Sequence, residues 1–354
     1  MRPIVLVAAL LVAPYAVTLA DDVDDQIREA VRLHDANDYQ GAILIYRAIL
    51  KEHPHHPKAV YEMAFSLRAA QGDKSQVLAF LENELDSGTA QYPALYILLG
   101  SAYDDVGDLG KGEAAFRRGL EAAPDLPDLH FNLGVNLAFQ KRWSDAAASF
   151  VDAIARRPAH YRSWFELGRA LQEDKRAPRA FFAYARAATL EPETERGQEA
   201  ARLLWPLLFD GVKENGELDP TKASGSITIT IPSTAGSEEA QEKDAQPDPA
   251  MMEAVMTSIV AANRFVEEWE KKSDAAFFAH ALETVTAIAS EMKMDDPFWN
   301  IVRPYFDEAR SKKHLEPMAY VLRKAAGDPE AKRWLEANPK RADAYAEWAR
   351  SYGK

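Results

Sequence analysis

The chain has 354 residues, of which 47% are hydrophobic and 27% charged, ordinary values for a globular protein long enough for more than one compact unit. Acidic residues outnumber basic ones 55 to 42, a formal net charge of −13, which excludes the concentrated basic footprint of a nucleic-acid binder. The absence of cysteine excludes disulfides, thiolate metal sites, a cysteine nucleophile and a lipid-bearing cysteine.

The amino terminus reads as an export signal. Arg2 supplies a positive start, Ile4 to Ala13 is an unbroken apolar run, and Val17 to Ala20 closes it ahead of the acidic Asp21–Asp25 stretch. Thr18 and Ala20 are small residues placed for cleavage after Ala20, so residues 1–20 are expected to be a signal peptide. The competing reading is a retained anchor, against which Pro14 stands by interrupting a run barely long enough to span. The expectation is an exported protein, periplasmic or secreted, with no integral membrane segment after cleavage.

A fixed period follows. Gly100, Gly134 and Gly168 are 34 residues apart, and Leu99, Leu133 and Leu167 precede them. Phe116, Phe150 and Tyr184 keep the same spacing, as do the small residues Gly112, Ala146 and Ala180 and the prolines Pro124, Pro158 and Pro192. A leucine beside a tiny residue lets one helix lie closely on its partner, the aromatic fills the space between them, and the proline stops the second helix. Each unit is then a helix–turn–helix whose apolar face is buried only by stacking on neighbours. The frame extends back, more weakly, through Ala30, Asp38-Tyr39, Ala42, Tyr46 and Pro54, and then through Tyr61, Met63-Ala64, Leu67 and a late turn at Gly72-Asp73.

With Tyr96 and Trp164 at the early aromatic position, residues 93–194 resemble tetratricopeptide repeats. The resemblance implies an all-α, right-handed α-solenoid of about five helix–turn–helix units over 21–194: 23–56, 57–92, 93–126, 127–160 and 161–194. Ala200, Leu203, Leu204, Leu207 and Leu208 continue the apolar pattern, so 195–212 is expected to be a capping helix that Pro206 kinks or ends early.

Residues 213–249 contain no aromatic residue and are rich in Glu, Asp, Pro, Gly, Ser and Thr, the composition of a flexible linker. Ile227-Thr228-Ile229-Thr230-Ile231 alternates like a strand, but with no partner strand in this chain it reads as a sticky segment within that linker. Residues 250–354 turn helical again and form a separate small helical C-terminal domain of no recognised family. Asp296-Pro297 and Asp328-Pro329 there place a capping residue before a proline at the first helical position.

In the family that the repeats resemble, the first helix of each unit lines a concave groove. By phase this puts Tyr61, Phe65 and Arg68, then Phe131, Val135 and Phe139, then Arg162, Phe165 and Arg169 on a partner-binding surface. Aromatics and arginines are the usual anchors of interfaces. Phe131, Phe139 and Phe165 are expected to form one contiguous apolar patch. Asn132 and Arg162 fall at two positions of the carboxylate clamp known in part of the family. Ile97, Ser101 and Glu166 occupy the others, and Glu166 would repel a carboxylate.

No catalytic, cofactor or metal site is expected. His53, His55 and His56 form the densest histidine cluster, at a turn where polar residues belong, with no carboxylate or cysteine completing a ligand set. Asp21–Asp25 lacks the glycine and terminal glutamate of a calcium loop. Gly107, Gly110 and Gly112 match neither phosphate-binding fingerprint. The reading that results is a non-enzymatic scaffold or adaptor of the cell envelope that binds a protein or peptide. The alternatives are repeats that recruit substrate to a cryptic catalytic C-terminal domain, and a structural protein that self-associates.

Overall fold

A computed structural model describes residues 23–70, 74–87, 92–208, 256, 272–291 and 296–352. The readings for the signal peptide, the linker and its Ile227–Ile231 segment lie outside the described residues, as do residues 250–271 of the C-terminal region apart from Met256. All regular structure among the described residues is helical, and the chain divides into two compact units, residues 1–107 and 108–354. The division falls in the turn of the repeat 93–126, not between repeats.

The first unit holds α1 (Val23–Asp35), α2 (Tyr39–Glu52), α3 (Pro57–Ala69), α4 (Lys74–Asp86) and α5 (Ala94–Asp105), each packed on the next. Ile27, Ala30, Ala42, Tyr46, Ile49 and Met63 form its core where α1, α2 and α3 meet. Asp38 caps α2 by accepting from the Gly41 N–H, and His56 caps α3 by accepting from the Ala59 N–H.

The second unit begins with α6 (Leu109–Ala122), α7 (Pro127–Phe139), α8 (Trp143–Arg156), α9 (Tyr161–Glu173), α10 (Ala177–Leu190) and α11 (Glu195–Leu207), again packed in sequence. Pro206 lies in the last turn of α11, which ends one residue later. The glycine–aromatic pairing sets how closely each hairpin closes. A Cβ on Gly134 would stand 2.7 Å from the Phe150 ring, and one on Gly168 would stand 2.7 Å from the Tyr184 ring. Both rings are buried between the two helices of their own repeat.

Two further devices repeat in phase. Lys141 and Lys175 adopt a left-handed backbone (φ 59° each), and the next N–H returns to the helix: Arg142 N–H to Leu137 O at 3.0 Å, Arg176 N–H to Leu171 O at 2.8 Å. This closes the exposed carbonyls of the first helix. His130 Nε2 and Trp164 Nε1 each donate to the carbonyl of the proline six residues earlier, Pro124 and Pro158, both at 2.7 Å. The early aromatic position therefore ties each repeat to the end of the one before, and at His130 the acceptor requires the proton on Nε2.

The C-terminal helices are α12 (Asp274–Glu291), α13 (Pro297–Ser311), α14 (Leu315–Ala325), α15 (Pro329–Ala337) and α16 (Pro339–Ser351). The same left-handed turn joins α13 to α14 at Lys313 and α14 to α15 at Gly327. These helices pack on the repeats: α13 against α8 and α10, α14 against α10 and α11, α16 against α10. As a result α10 is buried from Arg179 through Thr189 on every side.

Two buried arginines two turns apart on α10 organise that seam. Arg179, 4% exposed, makes a bidentate pair with Asp296 at 3.1 and 3.0 Å. Asp296 at the same time caps α13 through the N–H groups of Phe298 and Trp299. Arg186, 2% exposed, lies 4.0 Å from the Tyr305 ring centroid and 5.6 Å from that of Tyr352, a cation held by aromatic faces. Phe182 fills the space between them against Trp299 and Phe306.

Two outcomes follow. Helix propensity alone makes alanine more stable than glycine by about 0.5–1 kcal/mol, whereas forcing a methyl into a packed ring costs about 1–3 kcal/mol. Gly134→Ala and Gly168→Ala should therefore lower the unfolding midpoint, while Gly110→Ala, whose Cβ meets nothing within 4 Å, should leave it unchanged or raise it. A double-mutant cycle of Arg179→Ala and Asp296→Ala, read by urea unfolding, should return a coupling of about 1–3 kcal/mol. Additive effects would mean that the seam does not depend on the pair.

Candidate protein-binding surface

The first-helix faces of the two units carry the residues singled out by phase, and the structure sorts them. In the first unit, Tyr61 is half-buried, with its ring 6.0 Å from that of Tyr92. Phe65 is 43% exposed and stacks on His34 at 4.9 Å, and the His34 Nδ1 in turn lies 2.9 Å from the hydroxyl of buried Ser66. Arg68 is exposed but committed: its guanidinium donates twice to Asp105, at 2.6 and 3.1 Å. Phe65 is thus an exposed ring held rigidly from behind, beside an ion pair that joins α3 to α5.

In the second unit, Phe139 is 63% exposed at the last turn of α7, the larger exposure of the two phenylalanines. Val135, one turn earlier, is half-buried. Arg162 and Arg169 are exposed on α9, and Phe165 is half-buried between Tyr161 and Tyr184. Phe131 departs from its expected place. It is 4% exposed, with Phe150 and His160 rings at 5.8 and 5.2 Å and the Arg162 guanidinium 4.8 Å over its face. The following repeat covers the first turn of α7, so Phe131 is core between repeats, and the expected continuous patch of Phe131, Phe139 and Phe165 does not form. Arg162 is brought to Phe131 as a lid over that core.

The electrostatics centre on Glu166, on α9 between Arg162 and Arg169. Burial pushes its carboxyl above the ordinary range; Arg169 and Arg162 pull it down, and Glu199 on α11 pushes it up again. Arg169 reaches within 2.5 Å of Oε2, yet that buried oxygen has no partner of hydrogen-bond geometry, so charge contact compensates desolvation incompletely. Asn132, a clamp position, donates to the Asp128 carbonyl of its own helix. On the neighbouring surface, burial raises Glu113, but hydrogen bonds from Arg117 and Gln140 and the charges of Arg117 and Arg142 override it and leave the carboxyl below its usual value.

The histidine cluster is occupied structurally. His55 Nδ1 lies 2.8 Å from Glu84, and His56 is a helix cap. No group of three or more potential metal ligands is found among the described residues. Asp108, in the glycine-rich stretch, caps α6 through the Lys111 N–H. Sequence reasoning missed Arg179 and Arg186, and read Asp296 only as a helix cap, not as the partner of Arg179. The available signal was the run Ala180–Ala188, apolar almost all round, which marks a helix buried on every side and therefore covered by something beyond its own repeat.

The tetratricopeptide-repeat profile matches residues 93–126 and, in a second form, residues 135–193. Residues 93–126 and 135–193 are tetratricopeptide repeats. Neither match reaches the C-terminal helices, and no curated protein matches the sequence. Similar solved structures include a thermophilic tetratricopeptide-repeat protein of Thermus thermophilus (22% identity, 51% of this chain and 98% of that one, TM-score 0.43). YrrB, described as having an unusual peptide-binding site, is 17% identical over 51% of this chain and 92% of its own, TM-score 0.40. MamA of Desulfovibrio magneticus is 13% identical over 49% and 96%, TM-score 0.42. These repeats support a protein-interaction scaffold, and no helix among the described residues is long and apolar enough to cross a membrane.

The raised Glu166 carboxyl has a testable consequence. A carboxyl whose folded value exceeds its unfolded one binds its proton more tightly when folded, so its contribution to stability grows as pH falls from neutrality through the raised value and is absent above it. Glu166→Gln should remove this component, flattening the rise in unfolding midpoint on mild acidification. An unchanged pH profile would mean that Arg162 and Arg169 fully compensate the burial.

Proposed function

We propose that the chain is an exported scaffold of the cell envelope that holds a protein or peptide partner on the first-helix face of its repeats. The observation that carries this reading is Phe139, a large ring 63% exposed on a helix whose other aromatic, Phe131, is buried. A ring left in water on a well-packed scaffold is the type of anchor that interfaces bury. Exposed Arg162 and Arg169 on the next first helix supply charged contacts, and Phe65 offers a second exposed ring in the first unit. Export is supported by Arg2, the apolar run and the Thr18/Ala20 pattern, none of which a cytoplasmic scaffold requires.

The test has two arms. Phe139→Ala with Arg169→Ala, in the full chain expressed in its native cell, should lose crosslinked partners that the wild type and a Phe65→Ala variant report separately for each unit. Capture unchanged in both variants removes the surface from consideration. The amino-terminal residue of the protein recovered from the envelope fraction should be Asp21; a chain found in the cytoplasm and still beginning at its initiator overturns the export reading.

A further inference from the structure

A cleft of about 690 Å³ opens on the C-terminal helices between α12, α13, α14 and α16. Its volume lies within the range of small-ligand sites, roughly 300–1,000 Å³. Its wall carries both signs of charge in fixed positions. Arg310 donates from Nε to Glu283 at 2.8 Å across from α13 to α12. Arg341 pairs with Glu316 at 2.5 Å, and its guanidinium lies 5.1 Å over Trp334, which is itself stacked on Tyr320 at 4.0 Å with the rings parallel. That three-layer stack holds the Arg341 plane, so its remaining N–H groups are presented with little freedom to lose on binding. Lys313 also lines the cleft, on its left-handed turn. Asp307 is anchored by the Ser290 hydroxyl, and Leu315 supplies an apolar surface.

The charges decide the ligand class. Arg310, Lys313 and Arg341 face Glu283, Asp307 and Glu316, so the lining is neutral in sum but polarised in place. A ligand with only negative charge meets three carboxylates as well as three cations, and one with only positive charge meets the reverse. A molecule bearing an ammonium and a carboxylate a few bonds apart satisfies both sets. We infer that this cleft is a second binding site, for a zwitterionic ligand of the size of a short unblocked peptide, distinct from the surface that engages a protein partner.

The probe is trialanine, titrated into the full chain by calorimetry in three forms: unblocked, N-acetylated and C-amidated. The unblocked form should saturate the protein, and blocking either end should weaken binding about tenfold or more, the scale of one lost charge contact. Arg310→Gln and Asp307→Asn should each weaken the unblocked form to a similar degree while the far-UV circular dichroism stays that of the wild type. Equal binding of the acetylated form would make the cleft an anion site, and equal binding of the amide a cation site; either overturns the inference. So does failure of the unblocked peptide to saturate. The three wild-type titrations stand even if a variant fails to fold.

Discussion

The structure of the second unit depends on an aromatic ring pressed against a glycine. Phe150 on Gly134 and Tyr184 on Gly168 set the distance between the paired helices of a repeat, because the ring occupies the volume where a methyl group would stand. Once that distance is set, the next first helix lands over the first turn of the previous one. His160 and Arg162 then cover Phe131, while Phe139, two turns further along the same helix, remains in water. Which residues of the first-helix face stay exposed is decided by how far the next repeat overlaps that helix.

The outer side of α10 is used differently. Second helices of a stack ordinarily keep a solvated face, but here α13, α14 and α16 cover it. Burying two guanidinium groups is costly unless each is compensated. Arg179 finds a bidentate carboxylate that is also a helix cap, so one aspartate neutralises a charge and satisfies two backbone donors. Arg186 finds aromatic faces instead. The C-terminal helices are thereby bound to the repeat stack from its second-helix side, while the arginines on α9 stay exposed.

Much of this was legible in residue spacing, and the failures are instructive. The 34-residue landmarks carry the hairpins because each landmark acts within one repeat or on its immediate neighbour: the glycine on its own aromatic, Trp164 on the proline six residues before it. Phase alone assigned Phe131 and Phe139 to one surface, since both project from the same side of the sequence pattern. Their fates diverge because burial depends on how far the next repeat overlaps the helix, which no periodicity states. Arg68 and Glu166 were read as single charges, whereas each is bound to a partner that the fold supplies, Asp105 across helices in one case and Arg169 on the same helix in the other.

What the sequence by itself determined is the helical hairpin, its length, its caps and its stacking, because turn chemistry, small-residue contacts and proline stops operate over a few residues to one repeat. Only the tertiary structure decided which side of the stack the C-terminal helices cover and which charges meet in the cleft between them. Arg179 and Asp296 are 117 residues apart, and nothing in local composition encodes a pairing over that distance. Such contacts arise when two preformed apolar faces find the one arrangement that leaves neither buried guanidinium without compensation.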